Sequence, residues 1–188
     1  MQRIIVKALI LPWLRWISYI FFQKKYLQGK YFDKGLIGWK WVLKGIWFQK
    51  ILGFNRKIPF PCHPNITISN YKNIIFNPDD LNNFQSPGVY WQCFKAKIYI
   101  GKGSYIAPNV GLITANHDFS DLSSHSIGKD IVLGEKCWIG MNSVILPGVK
   151  LGNNTVVAAG AVVTKSFEAG NCIIAGVPAR FIKEISIS

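Results

Sequence analysis

An aliphatic residue every six positions is the feature that most limits what this chain can fold into. From Leu133 onward the series runs Leu133, Ile139, Ile145, Leu151, Val157 and Val163. The next residues are Gly134, Gly140, Leu146, Gly152, Ala158 and Thr164, mostly small. Four positions after each aliphatic come Cys137, Ser143, Val149, Thr155, Ala161 and Phe167. Neither the helical period of 3.6 nor the strand period of 2 generates this pattern. A fixed internal period points to a solenoid. Three hexapeptides make three short flat faces, so about eighteen residues complete a turn. Each aliphatic is then expected to point inward and stack on its equivalent one turn away: Leu133 under Leu151, Ile139 under Val157, Ile145 under Val163. Small residues follow because the corners leave little room, and backbone hydrogen bonds run between turns as in a parallel sheet.

The repeat extends upstream through Ile100, Ile106 and Leu112 and then breaks. Leu112 and Leu133 lie 21 residues apart, three more than one full turn, so an insertion is expected to leave the coil between Thr114 and Asp130. Loops held by a rigid scaffold commonly carry function. Before Ile100 the register blurs, and Ile66, Ile68 and the run from Ile74 to Phe76 suggest irregular first rungs. After Phe167 the repeat fades, and Phe181 to Ser188 is expected to form a short terminal helix. The open ends of a solenoid need caps, for which the N-terminal arm and C-terminal tail are candidates.

The expected loop reads Thr114-Ala-Asn-His-Asp-Phe-Ser-Asp-Leu-Ser-Ser-His125 and holds two of the three histidines. A neutral imidazole is the natural base for taking a proton from a hydroxyl nucleophile. His117, where the coil breaks, is the candidate catalytic residue. Asn116, Asp118 and Asp121 could orient it, and position alone does not choose among them. His125 is either a substrate contact or an ordinary surface residue. No GxSxG elbow, Walker loop or HExxH spacing is present. The histidines at 63, 117 and 125 form no ligand set with the cysteines, so no metal is expected. Cys62, Cys93, Cys137 and Cys172 lie far apart without a CxxC pair and read as buried free thiols.

The run Ile106-Ala-Pro-Asn-Val-Gly-Leu-Ile-Thr-Ala-Asn-His-Asp-Phe resembles the active-site segment of hexapeptide-repeat O-acetyltransferases. So do Cys137-Trp-Ile-Gly, Val144-Ile-Leu-Pro-Gly-Val, Ala158-Ala-Gly-Ala-Val-Val-Thr-Lys165 and Ala175-Gly-Val-Pro-Ala-Arg180. This family includes maltose, galactoside, xenobiotic and surface-polysaccharide acetyltransferases. The resemblance is strong over residues 98–185, weak over 60–97, and does not reach the N-terminal arm. It implies an all-β, left-handed parallel β-helix, acetyl-CoA as the acyl donor, and a homotrimer with active sites between subunits. His117 falls on the family's catalytic histidine. Trp138 falls on the aromatic that borders the pantetheine arm. Gly140, Ala159, Thr164, Lys165 and Arg180 fall on positions that line the coenzyme groove or approach its phosphates. Lys165 and Arg180 also suit a polyanionic ligand on charge alone. Asn116, Asp118, His125, Tyr90 and Trp91 are candidates for the acceptor side, the last two, with Gln92, from their place one rung before the loop.

The net charge of +13 is concentrated in the N-terminal third. Residues 1–60 hold twelve cationic side chains against one acid, Asp33, and five of the seven tryptophans: Trp13, Trp16, Trp39, Trp41 and Trp47. Two parts are therefore expected, a basic amphipathic helical arm over 1–60 and a β-helix domain over 61–188. The apolar run from Ile4 to Phe22 is long enough to suggest a membrane span, but Lys7 and Arg15 would each cost about 2.5–3.5 kcal/mol at a bilayer centre. On a helix Arg3, Lys7, Arg15 and Ser18 gather on one side, with a kink at Pro12. The expectation is a helix lying in an anionic membrane surface with its tryptophans at headgroup depth. Capping of the coil is the competing role. Nucleic-acid binding is disfavoured, because aliphatics this dense do not read bases or phosphates.

The function this predicts is O-acetylation of a sugar hydroxyl, in a lipid-linked precursor of a capsule, O-antigen or exopolysaccharide. The enzyme would be cytoplasmic and peripheral on the inner face of the cell membrane. The alternatives are a soluble sugar or nucleotide-sugar acceptor, an amine among them, and a non-catalytic scaffold docked to a membrane complex.

Overall fold

Two- to five-residue strands form at the aliphatic positions of the repeat and stack into three sheets. The first sheet runs Thr67–Ile68, Tyr90–Gln92, Gly111–Ile113, Val144–Ile145, Val162–Val163. The second runs Ile74–Ile75, Ile98–Ile100, Ile131–Leu133, Lys150–Leu151, and the third Tyr105–Ile106, Trp138–Ile139, Val156–Val157, Cys172–Ala175, Arg180–Glu184. All pairings are parallel except the last. The computed structural model describes residues 11–186, and the chain divides after Pro64 into two compact units, Met1–Pro64 and Asn65–Ser188.

In the second unit the stacking follows the repeat. Leu133 pairs with Leu151, Ile139 with Val157 and Ile145 with Val163. Each is at most 2% exposed, so each contributes about 1.5–3 kcal/mol of burial. Below them lie Ile100, Ile106 and Leu112, on Leu133, Ile139 and Ile145 respectively. Leu133 thus stacks on Ile100 rather than near Leu112. The turn carrying the loop spans 33 residues against the usual 18, so the excess over a plain turn is much larger than the three residues counted along the sequence.

The corners explain the small residues. A Cβ on Gly101 would sit 2.2 Å from the carbonyl carbon of Gly134, and one on Gly134 would sit 2.6 Å from the amide of Asn153. Corner turns use Asn109, Asn142, Asn154 and Asn171 at φ between 47° and 59°, which asparagine tolerates better than most residues. The small polar residues four positions after the aliphatics are buried with partners. Ser143 Oγ donates to Gly140 O and Thr155 Oγ1 to Gly152 O, each at 2.7 Å.

Irregular structure begins the coil. A 3-10 segment, Pro78–Gln85, places Leu81 and Phe84 in the core. The Asp80 carboxylate accepts from the Gly103 amide, and Asn83 accepts from Ile106 N and donates to Ser104 O, both at 2.9 Å. Side chains thereby satisfy the edge of the strand Tyr105–Ile106. At the other end the expected terminal helix is not formed over its described part. Arg180–Glu184 is a strand antiparallel to Cys172–Ala175. The last rung of the third sheet would otherwise leave an open edge, and pairing with it outweighs helical propensity in Arg-Phe-Ile-Lys-Glu.

The first unit is helical: α1 (Leu11–Phe21) and α2 (Ile37–Gly45), with π-helical turns at Lys30–Lys34 and Ile46–Ile51. Phe22, Leu27, Phe32, Trp39, Val42 and Phe60 form its core. Buried Gln49 clamps the chain that follows, donating to Phe60 O at 3.2 Å and accepting from Cys62 N at 2.9 Å. Arg3, Lys7 and the start of the expected Ile4–Phe22 helix lie outside the described residues. On the polar side of α1 Ser18 is fully buried with its hydroxyl on Leu14 O, while the half-exposed Arg15 is held by Asp33 at 2.7 Å and lies over Trp39. Arg15 is therefore not a free lipid contact. Trp13, Trp16, Ile17 and Ile20 face outward at 48–78% exposure. Among the described residues no helix is long and apolar enough to cross a membrane.

Candidate active site

The segment between Thr114 and Asp130 leaves the coil as an antiparallel excursion. Lys129 N donates to Thr114 O, Ser126 N to Asn116 O and Asp118 N to Ser124 O, at 2.8–3.1 Å. These bonds make His117 and His125 a directly opposed pair without mutual backbone hydrogen bonds, the arrangement that brings side chains closest. The root of the loop is fixed by Gln92, which is 7% exposed. Its Oε1 accepts from the amides of Thr114 and Ala115 at 2.9 and 3.0 Å, while its Nε2 donates to Ala115 O at 2.8 Å. Gln92 is thus a clamp under the loop rather than an acceptor contact. A carboxamide in an otherwise apolar rung immediately before the break is the sequence signal for it.

His117 is exposed, and its Nδ1 lies 2.7 Å from the carbonyl oxygen of Leu122. A carbonyl only accepts, so Nδ1 carries a proton, and in the neutral ring Nε2 is then the nitrogen with the lone pair. The orienting group is therefore a backbone carbonyl, where the sequence offered Asn116, Asp118 and Asp121. The two carboxylates are occupied elsewhere. Asp118 Oδ1 accepts from the amide and hydroxyl of Ser120, and Asp121 Oδ1 from those of Ser123. These hydroxyl and amide donors hold both carboxyls below their ordinary range. The Asn116 backbone bonds Ser126. No sequence pattern identifies a carbonyl five residues on, because it is set by the turn and not by a side chain.

A cavity of about 490 Å³ in the first unit lies between α1 and the Phe32–Leu36 segment, lined by Arg15, Trp16, Tyr19 and Asp33 among others. In the second unit a cavity of about 420 Å³ opens beside the loop root. Asn116, Ser126 and Lys129 of the loop line it together with Leu146, Pro147 and Thr164 of the coil. Asn116 and Thr164, named from separate motifs, thus share one depression, and Lys129 adds a cation to it that the motifs did not mark. The lining mixes Asn116, Ser126, Lys129 and Thr164 with the apolar Ile127, Leu146 and Pro147, which allows both hydrogen bonding and apolar contact to a ligand.

Trp138 stands 57% exposed on the outer face, above Tyr105. Ala159, Thr164, Lys165 and Arg180 are exposed as well, with the Lys165 ammonium 5.7 Å from the Phe167 ring centroid. Gly140 is buried. A Cβ there would lie 2.6 Å from Ala159 N and Val157 O, so it shapes the corner beneath Ala159 and offers no surface of its own. Tyr90 is 41% exposed, but Trp91 is fully enclosed and stacked on Phe84 at 4.8 Å. Its place among the acceptor contacts is corrected: neighbours on a strand face opposite ways, and Tyr90 takes the outer side. Among the described residues no group of three or more histidine, cysteine or acidic side chains is arranged to hold a metal ion.

Residues 130–165 match the family described as bacterial transferase hexapeptide (six repeats). The galactoside O-acetyltransferase of Escherichia coli (strain K12) is 40% identical over 96 residues, covering 47% of this chain and 45% of that protein. WbbJ of the same organism, named for O-acetyl transfer in lipopolysaccharide biosynthesis, is 38% identical over 99 residues, or 46% of this chain and 50% of that protein. The chain spans about half the length of the curated relatives it matches. A solved galactoside acetyltransferase in complex with coenzyme A superposes with a TM-score of 0.59 at 26% identity, covering 94% of this chain and 82% of that one. These likenesses imply that the coil is a left-handed β-helix.

Proposed function

We propose that this chain, a hexapeptide-repeat protein similar in sequence and fold to sugar O-acetyltransferases, transfers an acetyl group from acetyl-CoA to a hydroxyl of a sugar. The observation that carries the reading is the His117 ring, exposed and held through Nδ1 by Leu122 O so that Nε2 is the free lone pair. Nε2 accepts the proton of the acceptor hydroxyl as its oxygen attacks the thioester carbonyl carbon. The carbon–sulfur bond breaks, and the imidazolium returns that proton to the departing thiolate. Asn116 and Thr164 supply hydrogen bonds beside the loop root.

The outer surface fits a coenzyme A donor on three counts. Trp138 offers an exposed ring for an aliphatic arm, Ala159 a small neighbour, and Lys165 and Arg180 cationic heads for phosphates. The working form in this reading is a homotrimer with its sites between subunits.

The acceptor we favour is lipid-linked, a precursor of a surface glycan, with the enzyme peripheral on the cytoplasmic membrane face. Support comes from the arm, which carries twelve cations against one acid and turns Trp13, Trp16, Ile17 and Ile20 outward. The test is transfer of radioactive acetyl-CoA label into a membrane extract of the source organism, divided afterwards between organic and aqueous phases. The reading expects label in the organic phase that is absent with His117→Ala. Histidine-dependent label confined to water would move the acceptor to a soluble sugar, and no histidine-dependent label at all would refute the transferase.

A further inference from the structure

We infer that His125 is a positioning residue: its ring is the platform that holds the His117 imidazole, and it acts through His117 without itself touching the acceptor. The inference rests on His117 being the base and adds to that reading the means by which an exposed ring on a loop is kept in one orientation.

An exposed side chain ordinarily samples several rotamers, and one hydrogen bond to a carbonyl leaves the ring free to rock about it. Here a second contact blocks that motion. The His117 and His125 ring centroids are 4.2 Å apart with 33° between the planes. Their closeness follows from the backbone, because they are the opposed pair flanked by the bonds Ser126 N to Asn116 O and Asp118 N to Ser124 O. His125 is backed in turn by Phe94, whose ring meets it edge-on at 4.8 Å and 79°. Phe94 follows the strand Tyr90–Gln92 and the buried Cys93. The Lys95 ammonium donates to His125 O at 3.2 Å, tying the same limb to the same rung. The stack Phe94–His125–His117 therefore runs from the coil to the proton-accepting ring.

The charge environment agrees with a platform role. The loop carboxylates, Asp118 and Asp121, accept bonds from Ser120 and Ser123. The two aromatic neighbours of the His125 ring are Phe94 and His117, at 4.8 and 4.2 Å between centroids. A flat ring at position 125 is what the geometry uses.

The test compares His125→Ala and His125→Phe in the full-length protein. Turnover and both KM values would be measured with a sugar acceptor and acetyl-CoA, and the tautomer of His117 read by ¹⁵N NMR of its ring. A base misplaced by about 1 Å can lose about a hundredfold in rate. The expected result is a fall in kcat of about 10–100-fold for alanine with little change in acceptor KM, and mixing of the His117 tautomers. Phenylalanine should restore kcat to within about threefold and restore the single Nδ1–H tautomer. Two results would overturn the inference. One is failure of phenylalanine to rescue, with a raised acceptor KM in both variants, which makes His125 a direct acceptor contact. The other is an alanine variant that keeps normal kcat and an unchanged His117 tautomer, which makes it an ordinary surface residue. Failure of the base assignment is separate, since it would appear as normal turnover in His117→Ala.

Discussion

Ile139 and Ile145 of the coil are fully enclosed, whereas Trp16 and Ile20 of α1 stand 75% and 78% exposed. Both sets obey a strict period, six in the first case and the helical spacing 13, 16, 17, 20 in the second. In the coil every turn is covered by the next, so the apolar member of each hexapeptide must lie inside. In α1 the buried side is the one that carries Ser18, with the half-exposed Arg15–Asp33 pair beside it, and the apolar stripe is left outside. The same kind of pattern thus makes a core in one region and a surface in the other. Periodicity reports which residues share a face, and only the neighbouring structure decides where that face points.

The sharpest way to test this contrast is to truncate both faces. Ile145→Ala should cost about 2–5 kcal/mol of stability, read as a lower denaturation midpoint, because the stacked rungs cannot collapse into the space. A loss below about 0.5 kcal/mol would mean that the rungs are not tightly stacked.

The inward stacking was legible for a plain reason. Eighteen-residue turns place equivalent positions directly over one another, and Leu133, Ile139 and Ile145 pair with Leu151, Val157 and Val163. The loop was legible as a break in register, but its size was not, since counting from Leu112 to Leu133 says nothing about which face the chain rejoins. His117 stood out by residue type and place, while its partner did not, because a backbone carbonyl carries no signature in a sequence. Trp91 was misplaced for lack of the strand alternation that puts Tyr90 outside. The terminal strand Arg180–Glu184 depends on a long-range edge that local propensity does not record.

Next in size is a matched pair of glutamines. Gln49 in the arm and Gln92 in the coil are both buried and both clamp backbone groups through donor and acceptor ends. Leucine at either position should cost about 1–3 kcal/mol by leaving those groups without partners. Only Gln92→Leu should also lower acetyl transfer at temperatures where both variants are folded, since only Gln92 holds the loop root. Equal loss of activity in the two would show that turnover follows stability alone.

Serine at Trp16 and Ile20 together should leave stability within about 0.5 kcal/mol, as expected for exposed positions. The same change should weaken binding to vesicles of mixed phosphatidylglycerol and phosphatidylcholine by about tenfold or more, the equivalent of one buried large apolar side chain. Unchanged vesicle binding would remove the membrane from the arm's role. The smallest expected effect is in thiol chemistry, where coil and arm behave alike. All four cysteines are buried and free, and burial pushes the Cys62 thiol up to about 12. A thiol reagent at pH 8 should label none of them in the native protein and all four after denaturation. Rapid labelling of Cys62 in the native state would place the segment around it outside the arm's core.

Acetyl transfer by His117→Ala, with coenzyme A affinity measured on the same sample, tests the central claim most directly. The account predicts a loss of about 10²–10⁴-fold in turnover, the usual contribution of a positioned base, with coenzyme A bound as tightly as by the unchanged protein. Turnover within about threefold of the unchanged protein would contradict it.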